Sequence, residues 1–322
     1  MFHPKFSPLV RDSFIALGAR TSLLGRGLRN MPHRKLPTPR TERCLRVAIL
    51  GMPNSGKSTL LNCLIRTRLA ACTQKAHTTR SQILGVYNHN NIQLAFTDTP
   101  GFVSFSDSLK KDTKILRGLA IEAASQTDIV ILLVDAAKNL SPGVLQTFAD
   151  MAKLALDESR MEVILVLNKV DLLDEKYILL DVTRTLVSLI NGIKLGADKA
   201  HEAVLDTTTF MISATENDGV IDLKNYLLSL APHRNWIIPK EKGATDLTNE
   251  ERVQEMLLEK LMIHTHAEVP YIAGIKCVAI SSENADTLKV DVDIFVNSNA
   301  QQRIVVGEKG RTLVKIRQVI MI

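Results

Sequence analysis

The chain has few cysteines and no long apolar run, and each shortage removes a class of protein. Its four cysteines, Cys44, Cys63, Cys72 and Cys277, stand without CxxC pairing or histidines at ligand spacing. Neither a zinc site nor a disulfide framework is indicated, and a reducing compartment is the simplest setting. The longest apolar run, Ile129 to Val134, falls far short of the roughly 18 to 20 residues that cross a bilayer. No transmembrane segment is expected. Internal repeats and low-complexity tracts are absent from the sequence.

Acid is missing from one place. Residues 1 to 46 hold ten Lys and Arg against Asp12 and Glu42 alone, so most of the net charge of +6 lies there; the rest of the chain has 30 basic and 32 acidic residues. This Arg-rich leader, taken as residues 1–44, includes apolar stretches such as Phe14-Ile15-Ala16-Leu17 and has the composition of a transit peptide for the mitochondrial matrix. A disordered basic arm that touches RNA or stays solvated has it too.

What is there reads as two domains, for which 322 residues suffice. Leu45 to Leu50 predicts a strand running into a glycine-rich turn, and Lys57 to Arg66 the helix that follows. Ile129 to Val134 and Val163 to Leu167 lack polar alternation, as parallel strands covered on both faces do. They alternate with helical stretches near 112–125, 142–156 and 219–230. The expected fold is α/β: a doubly wound, mostly parallel sheet over 45–231. From Pro232 the pattern dissolves into Pro, Lys, Glu and Gly, which predicts a linker over 232–248. A second, α+β unit over 249–322 opens with a capping box of Thr248 and Glu251, and a helix to about Thr265. Leu288, Val290, Val292, Ile294 and Val296 alternate with Lys289, Asp291 and Asp293, predicting a strand with one solvated face.

The segment Gly51-Met52-Pro53-Asn54-Ser55-Gly56-Lys57-Ser58 matches GxxxxGK[ST] between strand and helix, the context that motif requires. Its backbone N–H groups and the helix N-terminus would cradle phosphates. Lys57 would reach the β and γ phosphates and Ser58 would offer its hydroxyl to Mg²⁺, with Thr59 outside the coordination shell. Asn168-Lys169-Val170-Asp171 places a carboxylate at a strand's C-terminal edge, where Asp171 can accept from guanine's ring N–H and amino group; adenine offers no such donor pair. Asp98-Thr99-Pro100-Gly101 closes the strand Ile92 to Thr97, with Asp98 in the Walker-B position and the Gly101 N–H facing a γ-phosphate. In Lys75-Ala76-His77-Thr78-Thr79-Arg80, Thr79 is favoured over Thr78 as a further Mg²⁺ ligand. Ser213-Ala214-Thr215 can offer the Ala214 N–H to guanine O6. His264, His266 and Trp236 read as structural or surface residues.

These five elements in this order resemble the TrmE-Era-EngA group of GTPases, and GMPNSGKST, KAHTTR and DTPGF look most like its Era branch. The resemblance, over about 45–316, implies a GTP/GDP cycle. Phe102 stands where Ras-like proteins carry a water-orienting glutamine, so slow turnover is expected, supported by Mg²⁺, backbone groups and K⁺ held near Asn54. It also implies a type II KH domain, with Pro270-Tyr271 before a strand and a GXXG loop at Gly307-Glu308-Lys309-Gly310 clamping single-stranded RNA, aided by Arg303, Lys309, Arg311 and Lys315. Family members continue past a helix like the one that ends here, so an incomplete KH domain is expected, with Leu313, Val314, Ile316 and Ile320 short of cover. The implied partners are small-subunit ribosomal RNA and the small ribosomal subunit, with a monomeric protein in peripheral contact with the inner membrane. A tRNA-modification GTPase, or a switch whose tail binds protein, are the other readings.

Overall fold

The computed structural model describes residues 41–67, 69, 83–99, 101–102, 118, 121–158, 162–195, 207–266, 268–284 and 287–317. Thr78, Thr79, the rest of residues 70–82 and the leader up to residue 40 lie outside them. The residues from Arg40 onward form one compact unit.

The first strand, β1 (Arg43–Gly51), is followed by α1 (Lys57–Ile65), β2 (Ile83–His89), β3 (Ile92–Asp98), β4 (Ile129–Asp135), α2 (Pro142–Glu158), β5 (Glu162–Asn168), α3 (Ile178–Leu195), β6 (Thr209–Met211) and α4 (Val220–Leu230). The sheet order is β2-β3-β1-β4-β5-β6. All neighbours run parallel except the edge strand β2, antiparallel to β3. Side chains alternate across this sheet. Ala48 and Leu50 of β1 face a core with Phe148 and Met151 of α2 and Leu186 and Ile190 of α3. Leu45, Val47 and Ile49 face the other core, with Leu60 and Leu64 of α1 and Leu223 and Leu227 of α4. The expected doubly wound α/β sheet is the one found. Strand order reverses at β1, where such folds open a ligand crevice at the strands' C-terminal ends.

β1 begins two residues earlier than the apolar pattern indicates. Arg43, counted among the leader's charges, pairs in register with Ile92 and donates through Nε to the Ala231 carbonyl at 2.7 Å.

The stretch read as a linker is bound along the sheet. Arg234 donates to both oxygens of Asp128 at 2.7 and 3.0 Å. The buried Gln93 accepts from the Ile237 and Ile238 amides and donates to the Ile238 carbonyl. Farther on, Val86 N–H donates to the Ala244 carbonyl at 2.7 Å and Thr245 Oγ1 to the Leu84 carbonyl at 2.7 Å. Edge strand β2 is thereby covered. Pro and Gly mark irregular backbone, but its polar groups find partners among side chains far away in sequence.

The second unit comprises α5 (Asn249–His264), α6 (Val269–Ile272), β7 (Gly274–Asn284), β8 (Thr287–Phe295), α7 (Asn299–Val306) and α8 (Arg311–Arg317). The Thr248–Glu251 capping box is present as read. β7 and β8 pair antiparallel. Val290, Val292 and Ile294 pack against a core of Val253, Leu257 and Leu261, while Lys289, Asp291 and Asp293 are exposed. Of the apolar face expected to lack cover, Ile316 is buried, Leu313 and Val314 are exposed, and Ile320 lies outside the described residues. Among the described residues no helix is long and apolar enough to cross a membrane.

Candidate functional site

Four loops meet at the C-terminal ends of the parallel strands. The first joins β1 to α1, and its backbone turns through left-handed residues Asn54 (φ 65°) and Gly56 (φ 96°). Asn tolerates that region better than most side chains. At Gly56 a Cβ would lie 2.3 Å from Asn168 Nδ2, and at Gly51 2.5 Å from Ser55 Oγ. Contact therefore requires glycine at Gly51, and contact and φ together require it at Gly56. Ser55 Oγ is buried without a hydrogen-bond partner among the described residues.

Lys57 opens α1 and is buried, its Nζ donating to the Met52 carbonyl at 3.2 Å. Burial pushes its ammonium down to about 8, with the Asp98 charge opposing the shift. Ser58 Oγ donates to Asp98 Oδ2 at 2.7 Å. Hydroxyl and carboxylate, forty residues apart, thus converge beside the loop as hard oxygen donors suited to Mg²⁺. Thr59 follows on the helix. Thr79 lies outside the described residues.

The turn after β3 presses on the same loop. A Cβ on Gly101 would meet Pro53 Cγ at 2.9 Å, and the Phe102 amide donates to the Gly51 carbonyl at 2.9 Å. The Phe102 ring is buried in the core that holds α2 and α3.

The Asn168–Asp171 and Ser213–Thr215 segments, expected to read the base, are tied together by Asn168. Its Nδ2 donates to the Ser55 carbonyl at 2.9 Å and its Oδ1 accepts from the Ala214 amide at 3.0 Å. The Ala214 N–H is thus occupied here, where it was expected to point at a ligand; a buried amide takes an acceptor when one is in reach. Ser213 is buried, and its Oγ accepts from the Glu216 amide at 3.2 Å. Lys169 adopts a left-handed conformation (φ 65°), and Asp171 is exposed on the next turn, at the edge of the crevice.

One residue escaped the sequence reading. Lys169 Nζ lies 2.6 Å from Asp135 Oδ2, because β4 and β5 pair so that Asp135 stands opposite Asn168. A carboxylate ending an otherwise apolar parallel strand was the available signal.

In the second unit, Arg303 lies on α7, and Lys309, Arg311, Lys315 and Arg317 are exposed around the turn between α7 and α8. Gly307 (φ 71°), Lys309 (φ 51°) and Gly310 (φ 77°) are left-handed. A Cβ on Gly307 would meet Thr312 Oγ1 at 2.1 Å, whereas Gly310 has nothing within 4 Å and is open to a ligand. Arg311 and Glu308 pair at 3.8 Å with both side chains exposed, a contact water largely screens.

Comparison with known proteins agrees with this geometry. A family model described as 50S ribosome-binding GTPase matches residues 46–169. The chain is 33% identical over 272 residues to the GTPase Era of Mesorhizobium japonicum, covering 84% of this chain and 80% of that protein. It is 31% identical over 272 residues to GTPase Era of Brucella suis, with the same coverage. Among solved structures, Era in complex with MgGDPNP and nucleotides 1506–1542 of 16S ribosomal RNA superposes with a TM-score of 0.67 at 28% identity, covering 85% of this chain and 86% of the other. An Aquifex aeolicus Era variant bound to GDP and AlF4⁻ gives a TM-score of 0.67 at 30% identity, with the same coverage.

Proposed function

Because this chain belongs to the Era family of GTPases, we propose that it couples its GTP cycle to small-subunit ribosomal RNA and assists assembly of the mitochondrial small ribosomal subunit. It hydrolyses GTP to GDP and phosphate. In this reading the backbone amides from Gly51 to Lys57 cradle the phosphates. Lys57 holds the β and γ oxygens, and Asp171 accepts from guanine. Ser58 and Asp98 would hold Mg²⁺ together with Thr79, and the ion when bound neutralises charge on the phosphate oxygens. Phe102, buried, orients no water, so Gly101 N–H and K⁺ beside Asn54 carry what remains, and turnover is slow. The protein acts as a monomer.

The observation that carries the RNA assignment is the turn Gly307-Glu308-Lys309-Gly310 between two helices, with Gly310 open and four cations around it. Such a turn on a helix–strand–strand–helix–helix frame fits a KH domain, whose glycines let RNA backbone approach closely. The similar Era structure that holds 16S ribosomal RNA supports the same reading.

Binding of the full chain, loaded with GTP or GDP, to 3′ fragments of small-subunit rRNA across a salt series tests it. Nucleotide-sensitive, salt-dependent binding, lost in Gly307→Asp/Gly310→Asp, is expected. No binding by the wild type would leave a GTP switch whose second unit meets protein. For location, residues 1–44 fused to a reporter should carry it into mitochondria; a reporter left in the cytosol refutes that part.

A further inference from the structure

Away from the phosphate loop, two cations gather on one aromatic ring. Arg66 follows α1 in a left-handed conformation (φ 58°), Tyr87 sits on edge strand β2, and Lys224 is on α4. The Arg66 guanidinium carbon lies 5.9 Å and Lys224 Nζ 4.4 Å from the centre of the Tyr87 ring. Exposed His89 stacks on Tyr87 with centroids 6.4 Å apart.

No acid among the described residues answers these charges. Neither cation has an ion pair among the described residues. Residues 70–82, which lead into β2, contain Lys75, His77 and Arg80 but no Asp or Glu. Lys224 keeps only 6% of its surface exposed. Burial and the Arg66 charge push its ammonium down, and Cys63 opposes them. The ring faces offset part of this repulsion, and an anion would offset more.

The nucleotide does not supply that anion. Lys57 starts α1 and Arg66 follows its last residue, so the two are separated by about 13 Å along the axis. Tyr87 pairs with Leu94, at the part of β3 remote from Asp98. Gly85 is bridged to Thr245, three residues before the cap of α5, so the cluster borders the entry to the second unit. Cations interleaved with aromatic rings are what single-stranded nucleic acid binders present. An anionic membrane surface calls for about four to eight clustered basic residues, more than this site holds.

We propose that Arg66 and Lys224, framed by Tyr87 and His89, form a second phosphate contact for single-stranded RNA, on the GTPase unit and separate from the Gly307–Gly310 turn. The contact rests on the RNA reading above.

Anisotropy titration of the full chain, loaded with GTP and with GDP in separate series, with a single-stranded rRNA 3′ fragment, from about 50 to about 300 mM KCl, measures affinity and the counterions released. R66Q/K224Q should weaken binding about fivefold to tenfold near 0.1 M salt and flatten the slope of log affinity against log salt by about 0.7 to 1.4, one to two phosphates' worth on a single strand. R66K/K224R should restore both. Should the double variant melt early, R66Q alone, at an exposed position, should flatten the slope by about 0.7. Wild-type binding that Gly307→Asp/Gly310→Asp abolishes and R66Q/K224Q leaves unchanged overturns the second contact and spares the RNA reading. Absence of wild-type binding overturns both.

Discussion

Asn168 Nδ2 donates to the Ser55 carbonyl at 2.9 Å, tying the end of β5 to the loop between β1 and α1 across 113 residues of sequence. The same side chain accepts from the Ala214 amide, so three loops share one buried amide. Asn168→Ala leaves a buried carbonyl and a buried N–H without partners, at about 1–3 kcal/mol each. The melting temperature should fall, and GDP affinity should drop at least about tenfold because the loops lose their common anchor. Thermal melts beside a fluorescent-GDP titration would show it; wild-type affinity in Asn168→Ala would remove the anchoring role.

Lys57 gives the site a pH signature. Its folded value of about 8 lies below the ordinary lysine value of 10.5. Between the two, the unfolded chain holds a proton that the folded chain lacks, so this group makes stability rise with pH across that window. Nucleotide phosphates favour the ammonium, so binding above pH 8 must take up a proton. Calorimetric titrations at pH 8.5, in buffers of different ionisation heat, should report uptake of roughly three-quarters of a proton. Lys57→Met should report almost none. Equal uptake by both variants would mean that another group titrates.

How much of this was legible depends on sequence distance. The strand–turn–helix around Gly51–Lys57, the Thr248–Glu251 cap and the apolar strands β4 and β5 are local patterns, and each is present as read. The antiparallel edge strand β2 mixes Gly85, Asn88 and His89 with apolar residues, and β6 is three residues long, so neither shows a sustained alternation. Helix α3 carries Leu179, Val182, Leu186 and Ile190 at helical spacing, a pattern that was available and went unread. Pairings such as Asp135 with Lys169 or Gln93 with Ile238 arise from strand register and chain return, which no local window contains.

Asp135 holds Lys169 at 2.6 Å with both side chains partly exposed, 19% and 28%. Such a pair is worth about 1 kcal/mol at most after screening. Its larger effect is on geometry, because Lys169 lies in the segment proposed to read the base. Asp135→Asn should leave the melting point within about 3 °C of wild type and weaken GDP binding several-fold. Titration at low and at high salt checks this. Unchanged affinity at both would show that Lys169 finds its place without Asp135.

The bond between Arg234 and Asp128 carries more weight. Asp128 is 3% exposed, accepts two guanidinium bonds and also receives the Arg46 amide at 3.0 Å, so the chain leaving α4 is locked to the start of β1. The Asp128 interaction holds the Arg234 guanidinium above its ordinary value. Removing the arginine takes the bidentate cation from a buried carboxylate that still accepts from the Arg46 amide. Arg234 is 32% exposed, so the cost is discounted to about 2–3 kcal/mol. Arg234→Ala should therefore lower the melting temperature by roughly 5–10 °C. The loss should persist at high salt, because ions screen buried pairs weakly. Asp128→Asn, which retains an acceptor for the Arg46 amide and strands no buried charge, should lose less. An Arg234→Ala protein that melts with the wild type would mean that the other bonds of residues 232–248, those to Gln93, Val86 and Cys44 among them, suffice to hold the stretch against the sheet.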